Sequence, residues 1–270
     1  MVMRIKPSDE ECNARAFSHV TLDRASHCMR AEGTLILEDI INPELILEAK
    51  EIFIQRYAPY LNGQKHDDAL EVGDRRPMIT VDFEPPFDRR ELFANSWLLP
   101  VLSAAFKDDF VLAAYGVVCS LPEAPRQHIH MDGGDLFPQA GINRVLPIFA
   151  VTVAIPLIEM NEIHGTTALW PGSHFDKTRA SAAEKGEGPD EPLVREGSCA
   201  LWDYRLLHGG TPNQSAVPRP LLYMTYSRSW FLDHKNYRRQ AALRAPKGFL
   251  AELPDDLQRL LVRAQDSATR

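Results

Sequence analysis

The sequence predicts a mainly β protein with flanking helices, a sandwich or jelly roll built as one unit. Three observations carry this. Short β-rich runs between turn signals crowd the middle of the chain, at 110–121, 145–158, 167–170, 193–203 and 221–231. Helical periodicity is confined to the two ends. No Gly/Ser linker and no internal repeat divides the 270 residues, and one sandwich or barrel of this length is ordinary. The expected layout is a single domain over 1–270, with a helical flank at about 1–108, a β core at about 109–232 and a helical tail at about 238–270.

In chain order, Asn42 and Pro43 read as an N-cap followed by Pro at the first helical position. Ile46, Ala49, Phe53 and Tyr57 then recur at helical spacing, which predicts a helix to about Leu61. A second helix is expected from Arg90 to Phe106, with Leu98, Leu102, Ala105 and Phe106 on one face. Between them lies a polar stretch with one short strand candidate, Met78 to Val81. After the β block, Leu253, Leu257, Leu260 and Leu261 form an apolar stripe beside Pro254. The charged, small-residue segment 176–192 reads as a solvated loop, with a lid over a site as the sharper alternative.

Composition narrows the function. Lys+Arg minus Asp+Glu is 30 − 37 = −7, which argues against a general nucleic-acid binder but leaves room for a locally basic pocket. Cys12, Cys28, Cys119 and Cys199 form no CxxC pair and read as free thiols of a reducing compartment. The N-terminus has no signal-peptide texture. The longest uncharged apolar run, 145–158, is too short to span a bilayer and carries Pro147 and Pro156. The expectation is a soluble cytoplasmic protein.

The chemistry lies in His-x-Asp pairs. On a strand, residues i and i+2 point the same way, so both can reach one metal, and two His with one carboxylate form the facial triad of non-haem Fe(II) oxygenases. By chance about 0.6 such pairs are expected at this composition; the chain has three, at His66–Asp68, His130–Asp132 and His174–Asp176. The first sits in the polar stretch without a strand. The third runs from a Pro-Gly-Ser turn into the charged loop, close in sequence to the best distal His. His130–Asp132 follows a strand, ends in Gly133-Gly134 and leaves room for several strands before His208, which closes an apolar run at His208-Gly209-Gly210. His128, one pleat back, reads as a core His or a support to the site. Arg219 opens the next apolar run. An Arg there is ordinarily a surface charge, but a cationic fork near a metal would suit a dicarboxylate.

Three blocks in order resemble the phytanoyl-CoA dioxygenase family of Fe(II)/2-oxoglutarate oxygenases: Gln127 to Gly134, Gly165 to His174, and Trp202-Asp203-Tyr204-Arg205 through His208 to Asn213, Ser215 and Arg219. The resemblance implies a double-stranded β-helix, the cupin-like jelly roll. It implies His130, Asp132 and His208 as catalytic iron ligands and Arg219 as partner of the distal carboxylate of 2-oxoglutarate, with Gln127 and Thr167 as further cosubstrate contacts. The cofactors implied are Fe(II), 2-oxoglutarate and O2, with ascorbate as an additional candidate. The activity implied is oxidation, most simply hydroxylation, of a C–H bond in a small molecule such as a natural-product intermediate, releasing succinate and CO2. Neither a nucleic acid nor a membrane is expected as partner. Related halogenases carry a small residue in place of the aspartate, so an intact Asp132 points to oxygenation. One departure stands at Asn161-Glu162-Ile163-His164-Gly165, where the family has Asn-Gly directly. Tyr115, Asp135, Phe137, Tyr223 and Trp230 are candidates to shape the substrate pocket. Two other readings remain: a zinc-dependent hydrolase on the same three ligands, which leaves Arg219 unexplained, and a non-catalytic jelly-roll ligand-binding protein, which a missing ligand would favour.

Overall fold

The computed structural model describes residues 1–133, 136–137, 140–176, 181, 188–237 and 240–266. Its centre is an eight-stranded mixed sheet. The strands are β1 (Arg4–Ile5), β2 (Thr34–Leu37), β3 (Leu70–Glu71), β4 (Pro77–Thr80), β5 (Val111–Ser120), β6 (Ala150–Pro156), β8 (Cys199–Asp203) and β10 (Arg219–Ser227). Their spatial order is β1-β2-β8-β6-β10-β5-β4-β3, with β1–β2 parallel and the other pairs antiparallel. A small second sheet pairs β7 (Thr167–Leu169) with β9 (His208–Gly210). The free edge of β9 binds the segment 127–130: Gln127 N–H donates to the Gly210 carbonyl, and His130 and His208 exchange both backbone bonds at 2.9 Å.

Parity decides what each face does. On β10, Leu222, Met224 and Tyr226 enter the main core with Leu35, Phe53, Phe93, Leu102, Tyr115 and Val117, against the helices. Arg219, Leu221 and Tyr223, on the opposite face, line a cleft shared with the small sheet. Every residue of β10 is buried, as a central strand covered on both faces requires.

The first 108 residues are not simply a helical flank. They contribute β1 to β4, half of the large sheet. β4 overlaps the Met78 to Val81 candidate; β1, β2 and β3 are two to four residues long, too short to show alternation, and β1 and β3 sit at the sheet's edges. Two helices also escaped the periodicity reading, α1 (Asp9–Ala14) and α2 (His19–Ala31). A local signal for the first existed: Ser8 and Glu11 form a capping box, with reciprocal bonds of 3.2 and 3.0 Å. Glu11 also accepts from Ser18 N–H and the Thr21 hydroxyl, and these donors lower its carboxyl to about 2.

Two helix boundaries are corrected. The helix α3 (Pro43–Arg56) is capped by Asn42 as expected, but gives way to a 3-10 turn at Ala58–Leu61 rather than running on. Pro59 has no N–H to continue the ladder. The expected 90–106 helix is two, α4 (Arg90–Phe93) and α5 (Leu98–Phe106). Asn95 breaks them apart: its side-chain oxygen accepts from Trp97 and Leu98 N–H, while its amide donates to the Ile40 and Glu91 carbonyls. At the far end, the helix Asp255–Leu260 buries Leu257 and Leu260 on the main core, and Leu261 follows them in.

Because Asn95 is buried and Asn42 makes one exposed bond, their replacements separate. Asn95→Ala is expected to lower unfolding free energy by about 2–3 kcal/mol and Asn42→Ala by about 1 kcal/mol, read from urea denaturation.

Candidate active site

His130, Asp132 and His208 present ligand atoms that all lie within 4.8 Å of one another. The backbone places them. Pairing of the 127–130 segment with β9 sets the two imidazoles side by side, with ring centroids 4.4 Å apart and planes tilted by 49°. Asp132, two residues beyond His130, brings Oδ1 to 3.5 Å from His208 Nε2. Each ring is turned by a carbonyl two residues earlier in its own chain: His130 Nδ1 lies 2.9 Å from the His128 carbonyl, and His208 Nδ1 2.9 Å from that of Leu206. A proton on each Nδ1 leaves Nε2 with its lone pair toward the centre. Asp132 Oδ2 accepts from the Thr152 hydroxyl at 2.6 Å and from Trp202 Nε1 at 2.9 Å, which leaves Oδ1 for another partner.

Electrostatics favour a cation here. Burial, then the neighbouring His208, push the His130 ring down to about 4. Burial opposes charge on Asp132, yet His208, His130 and the Thr152 hydroxyl together hold its carboxyl at about 2. For His208 burial again opposes charge, and Asp132 prevails and raises it. Two imidazole nitrogens and one carboxylate oxygen within 4.8 Å of one another make a donor set that fits a divalent first-row metal.

Beside this triad lies an anion cradle. Arg219 is 3% exposed, so the surface reading of it is excluded. Its Nη1 donates to the His164 and Thr166 carbonyls at 3.2 Å each and its Nη2 to Ser120 Oγ at 2.7 Å. Arg76, 1% exposed, donates from Nε to the same Ser120 hydroxyl at 3.0 Å and from Nη2 to the Thr211 carbonyl at 3.0 Å. Arg76 Nη1 and Arg219 Nε are buried with no hydrogen-bond partner, and among the described residues neither side chain has an ion-pair partner. Burial lowers both guanidiniums to about 10, and for Arg219 the nearby Arg76 adds to the fall. Both stay charged at neutral pH and suit a carboxylate.

Triad and cradle open on one cleft of about 530 Å³. One wall is apolar, built from Leu70, Val72, Met78, Val118 and Leu221 with Tyr223. Thr167 lines it, as does Gln127, whose amide is already committed: Oε1 accepts from Gly210 N–H at 2.9 Å and Nε2 donates to the Val72 carbonyl. Of the sequence's pocket candidates, Tyr223 lines this cleft. Three others are corrected. Tyr115 has the opposite parity on β5 from Val118 and Ser120, so it lies in the main core with its hydroxyl on the Phe87 carbonyl at 3.1 Å. Phe137 is 44% exposed, its backbone N–H bonded to Asn143. Trp230 lies past the end of β10, 61% exposed against Phe149 and Phe231. Asp135 lies outside the described residues, as do 177–180 and 182–187 of the candidate lid.

The departure at 161–165 is an ordered turn. Asn161 Oδ1 accepts from Ile163 and His164 N–H, and Gly165 N–H donates to the Asn161 carbonyl. Gly165 has φ +81°, and a Cβ there would sit 2.2 Å from the Pro212 carbonyl oxygen. The turn delivers the His164 and Thr166 carbonyls to Arg219. His128 is exposed on the cleft and supports the centre through its carbonyl rather than its ring. Arg76, Ser120, Thr152 and Trp202 were not read from sequence as parts of the site. Arg76 had a faint signal: it lies two residues before Met78, where the strand candidate begins, and so shares its parity.

His130→Ala and His208→Ala are each expected to abolish Fe(II) binding in equilibrium dialysis, whereas His66→Ala and His174→Ala retain it. His66 packs on the Tyr60 ring and His174 Nε2 faces the Arg30 carbonyl at 3.3 Å, both away from the triad. Loss of iron in His174→Ala with retention in His130→Ala would reverse the assignment.

Residues 54–221 match the profile of the family described as Phytanoyl-CoA dioxygenase (PhyH). The chain is 23% identical over 238 residues to the dioxygenase trt7 of Aspergillus terreus, covering 84% of this chain and 80% of that protein. In fold it resembles AviO1 from Streptomyces viridochromogenes, with TM-score 0.61 and 20% identity, covering 80% of this chain and 99% of that one. It also resembles the epimerase SnoN, whose structure in complex with Fe3+, alpha ketoglutarate and nogalamycin RO gives TM-score 0.60 and 15% identity, covering 84% of this chain and 96% of that one. The family profile spans more than half of the chain, from the end of α3 into β10: this protein belongs to the phytanoyl-CoA dioxygenase family, and is an oxidoreductase.

Proposed function

We propose that the protein is an Fe(II)- and 2-oxoglutarate-dependent dioxygenase that hydroxylates a C–H bond of a small, largely apolar molecule, a natural-product intermediate. The observation that carries this is the pair of buried guanidiniums, each with an unpartnered N–H, opening on the cleft that holds the two-His-one-carboxylate triad. A zinc hydrolase needs the triad but has no use for the cradle. The matched family and the iron and alpha-ketoglutarate in the SnoN complex support the same pair of groups.

In this reading His130, Asp132 and His208 would hold the iron. Thr152 and Trp202 aim Asp132 by binding its other oxygen. Arg219, with Arg76 beside it, binds the distal carboxylate of 2-oxoglutarate. Thr167 and the committed amide of Gln127 shape that end of the cleft. The apolar wall excludes water and packs the hydrocarbon to be oxidised, and Tyr223 offers it a hydroxyl steadied by Thr225 at 2.9 Å. Iron bound here supplies the oxidising chemistry: substrate, O2 and 2-oxoglutarate give hydroxylated product, succinate and CO2, with ascorbate as accessory reductant. The chain acts as one catalytic unit of the cytoplasm. All four cysteines are free, and no helix among the described residues is long and apolar enough to cross a membrane.

The test is calorimetric, with Mn(II) bound in place of iron. Arg219→Met keeps much of the apolar stem and removes a charged hydrogen-bond partner, which is worth roughly 1.5–3 kcal/mol, so 2-oxoglutarate affinity should fall about 10- to 150-fold. Arg76→Met should weaken it by about tenfold, and Arg219→Lys should recover part of the loss, because a point charge replaces a planar fork. An Arg219→Met protein that melts cooperatively and binds 2-oxoglutarate within twofold of wild type would remove the support for the dicarboxylate. With Asp132 present, turnover in chloride buffer should give no chlorinated product by mass spectrometry.

A further inference from the structure

The backbone ladder that fixes His130 stops there. His130 spends its N–H and carbonyl on His208, and Asp132 lies beyond the last rung. Aiming Asp132 therefore needs something else to hold its main chain, because a ligand displaced by about 0.5 Å no longer meets its ion productively. Two contacts supply this. Gly133 N–H donates to the Tyr204 carbonyl at 3.2 Å, and Asn236 Nδ2 donates to the Asp132 carbonyl at 2.9 Å.

Asn236 lies on the segment after β10 and is itself held. Its second amide N–H donates to Asp233 Oδ2 at 2.7 Å. The same oxygen accepts from the Tyr204 hydroxyl at 2.5 Å, and Asp233 Oδ1 accepts the backbone N–H groups of Lys235 and Asn236 at 2.8 and 3.0 Å. Three acceptors around Nδ2 fix the amide's orientation. The Tyr204 ring closes the circuit: it fills the space over Gly133, where a Cβ would lie 2.6 Å from its Cδ1. Asp132, Gly133, Tyr204, Asp233 and Asn236 thus form a ring of contacts behind one metal ligand, and Lys235 and Asn236 also line the cleft.

We propose that Asn236 is a positioning residue of the metal centre, which with Tyr204 and Asp233 sets the main-chain position from which Asp132 reaches the ion. This rests on the reading of His130, Asp132 and His208 as metal ligands.

The experiment measures Fe(II) affinity anaerobically by chelator competition and records the visible ligand-field spectrum with Co(II). Asn236→Ala should weaken Fe(II) by about tenfold, as loss of a ligand's support does, and shift the Co(II) bands. Tyr204→Phe keeps the ring on Gly133, removes only the hydroxyl, and should weaken Fe(II) severalfold. Because both act through one circuit, the double variant should bind within about twofold of Asn236→Ala alone. Independent structural roles would instead multiply the two losses, which would overturn the circuit. Variants that melt cooperatively, bind Fe(II) within twofold of wild type and leave the Co(II) spectrum unchanged would overturn the positioning role while the metal centre stands. A wild-type protein that binds neither ion would overturn both.

Discussion

Two positive charges that share one serine hydroxyl, deep in the protein and with no ion-pair partner among the described residues, are the constraint on which the rest turns. Arg76 and Arg219 meet at Ser120. Burying such groups is costly unless their donors are satisfied, and each keeps one donor unsatisfied. Much of the architecture serves to hold them there. The N-terminal region sends β4 to the edge of β5, which brings in Arg76 just before the strand. The turn at 161–165 supplies carbonyls to Arg219, and the Thr211 carbonyl anchors Arg76. A chain with net charge −7 thus encloses a locally basic pocket beside the His130, Asp132 and His208 cluster.

The triad shows the complementary arrangement. Its ligands come from two short backbone segments that pair directly, yet their support is scattered. Thr152 lies on β6, Trp202 on β8, Tyr204 in the turn after β8, and Asn236 past β10. The block Trp202 to Arg205 feeds several of these at once: Trp202 donates to Asp132, while Asp203 and Arg205 form a buried bidentate pair that reaches the Asn143 and Leu146 carbonyls. One tetrapeptide aims a ligand and anchors the chain that follows it.

What the sequence made legible follows from the range of the interactions. The pleat puts His130 and Asp132 on one side, strand context separates them from His66 and His174, and an apolar run ending in Gly-Gly marks His208; these are local facts, and the structure brings the three residues together. The long central strands and the Asn42 cap were legible for the same reason. Parity on β5 cannot be assigned from sequence without knowing which face meets the helices: Tyr115 lies in the main core, and Val118 and Ser120 line the cleft. Trp230 and Phe137 failed because an aromatic beyond a strand's end has no parity to follow. Strands of two residues carry no period, which hid β1 and β3 and, with them, the contribution of the first 108 residues to the sheet. Arg76 and Asn236 act across 135 and 104 residues of chain, and no single-sequence pattern reports such pairs.

The most direct measurement of the account is an anaerobic titration of the purified protein, first with Fe(II) and then with 2-oxoglutarate, followed in the visible range. The account predicts that Fe(II) alone gives no visible band and that 2-oxoglutarate then raises a weak charge-transfer absorption that saturates at one equivalent per chain. If the band failed to appear while the protein bound Zn(II) tightly and gained hydrolytic activity, the triad would be a hydrolase centre and the pairing of triad with cradle would be contradicted.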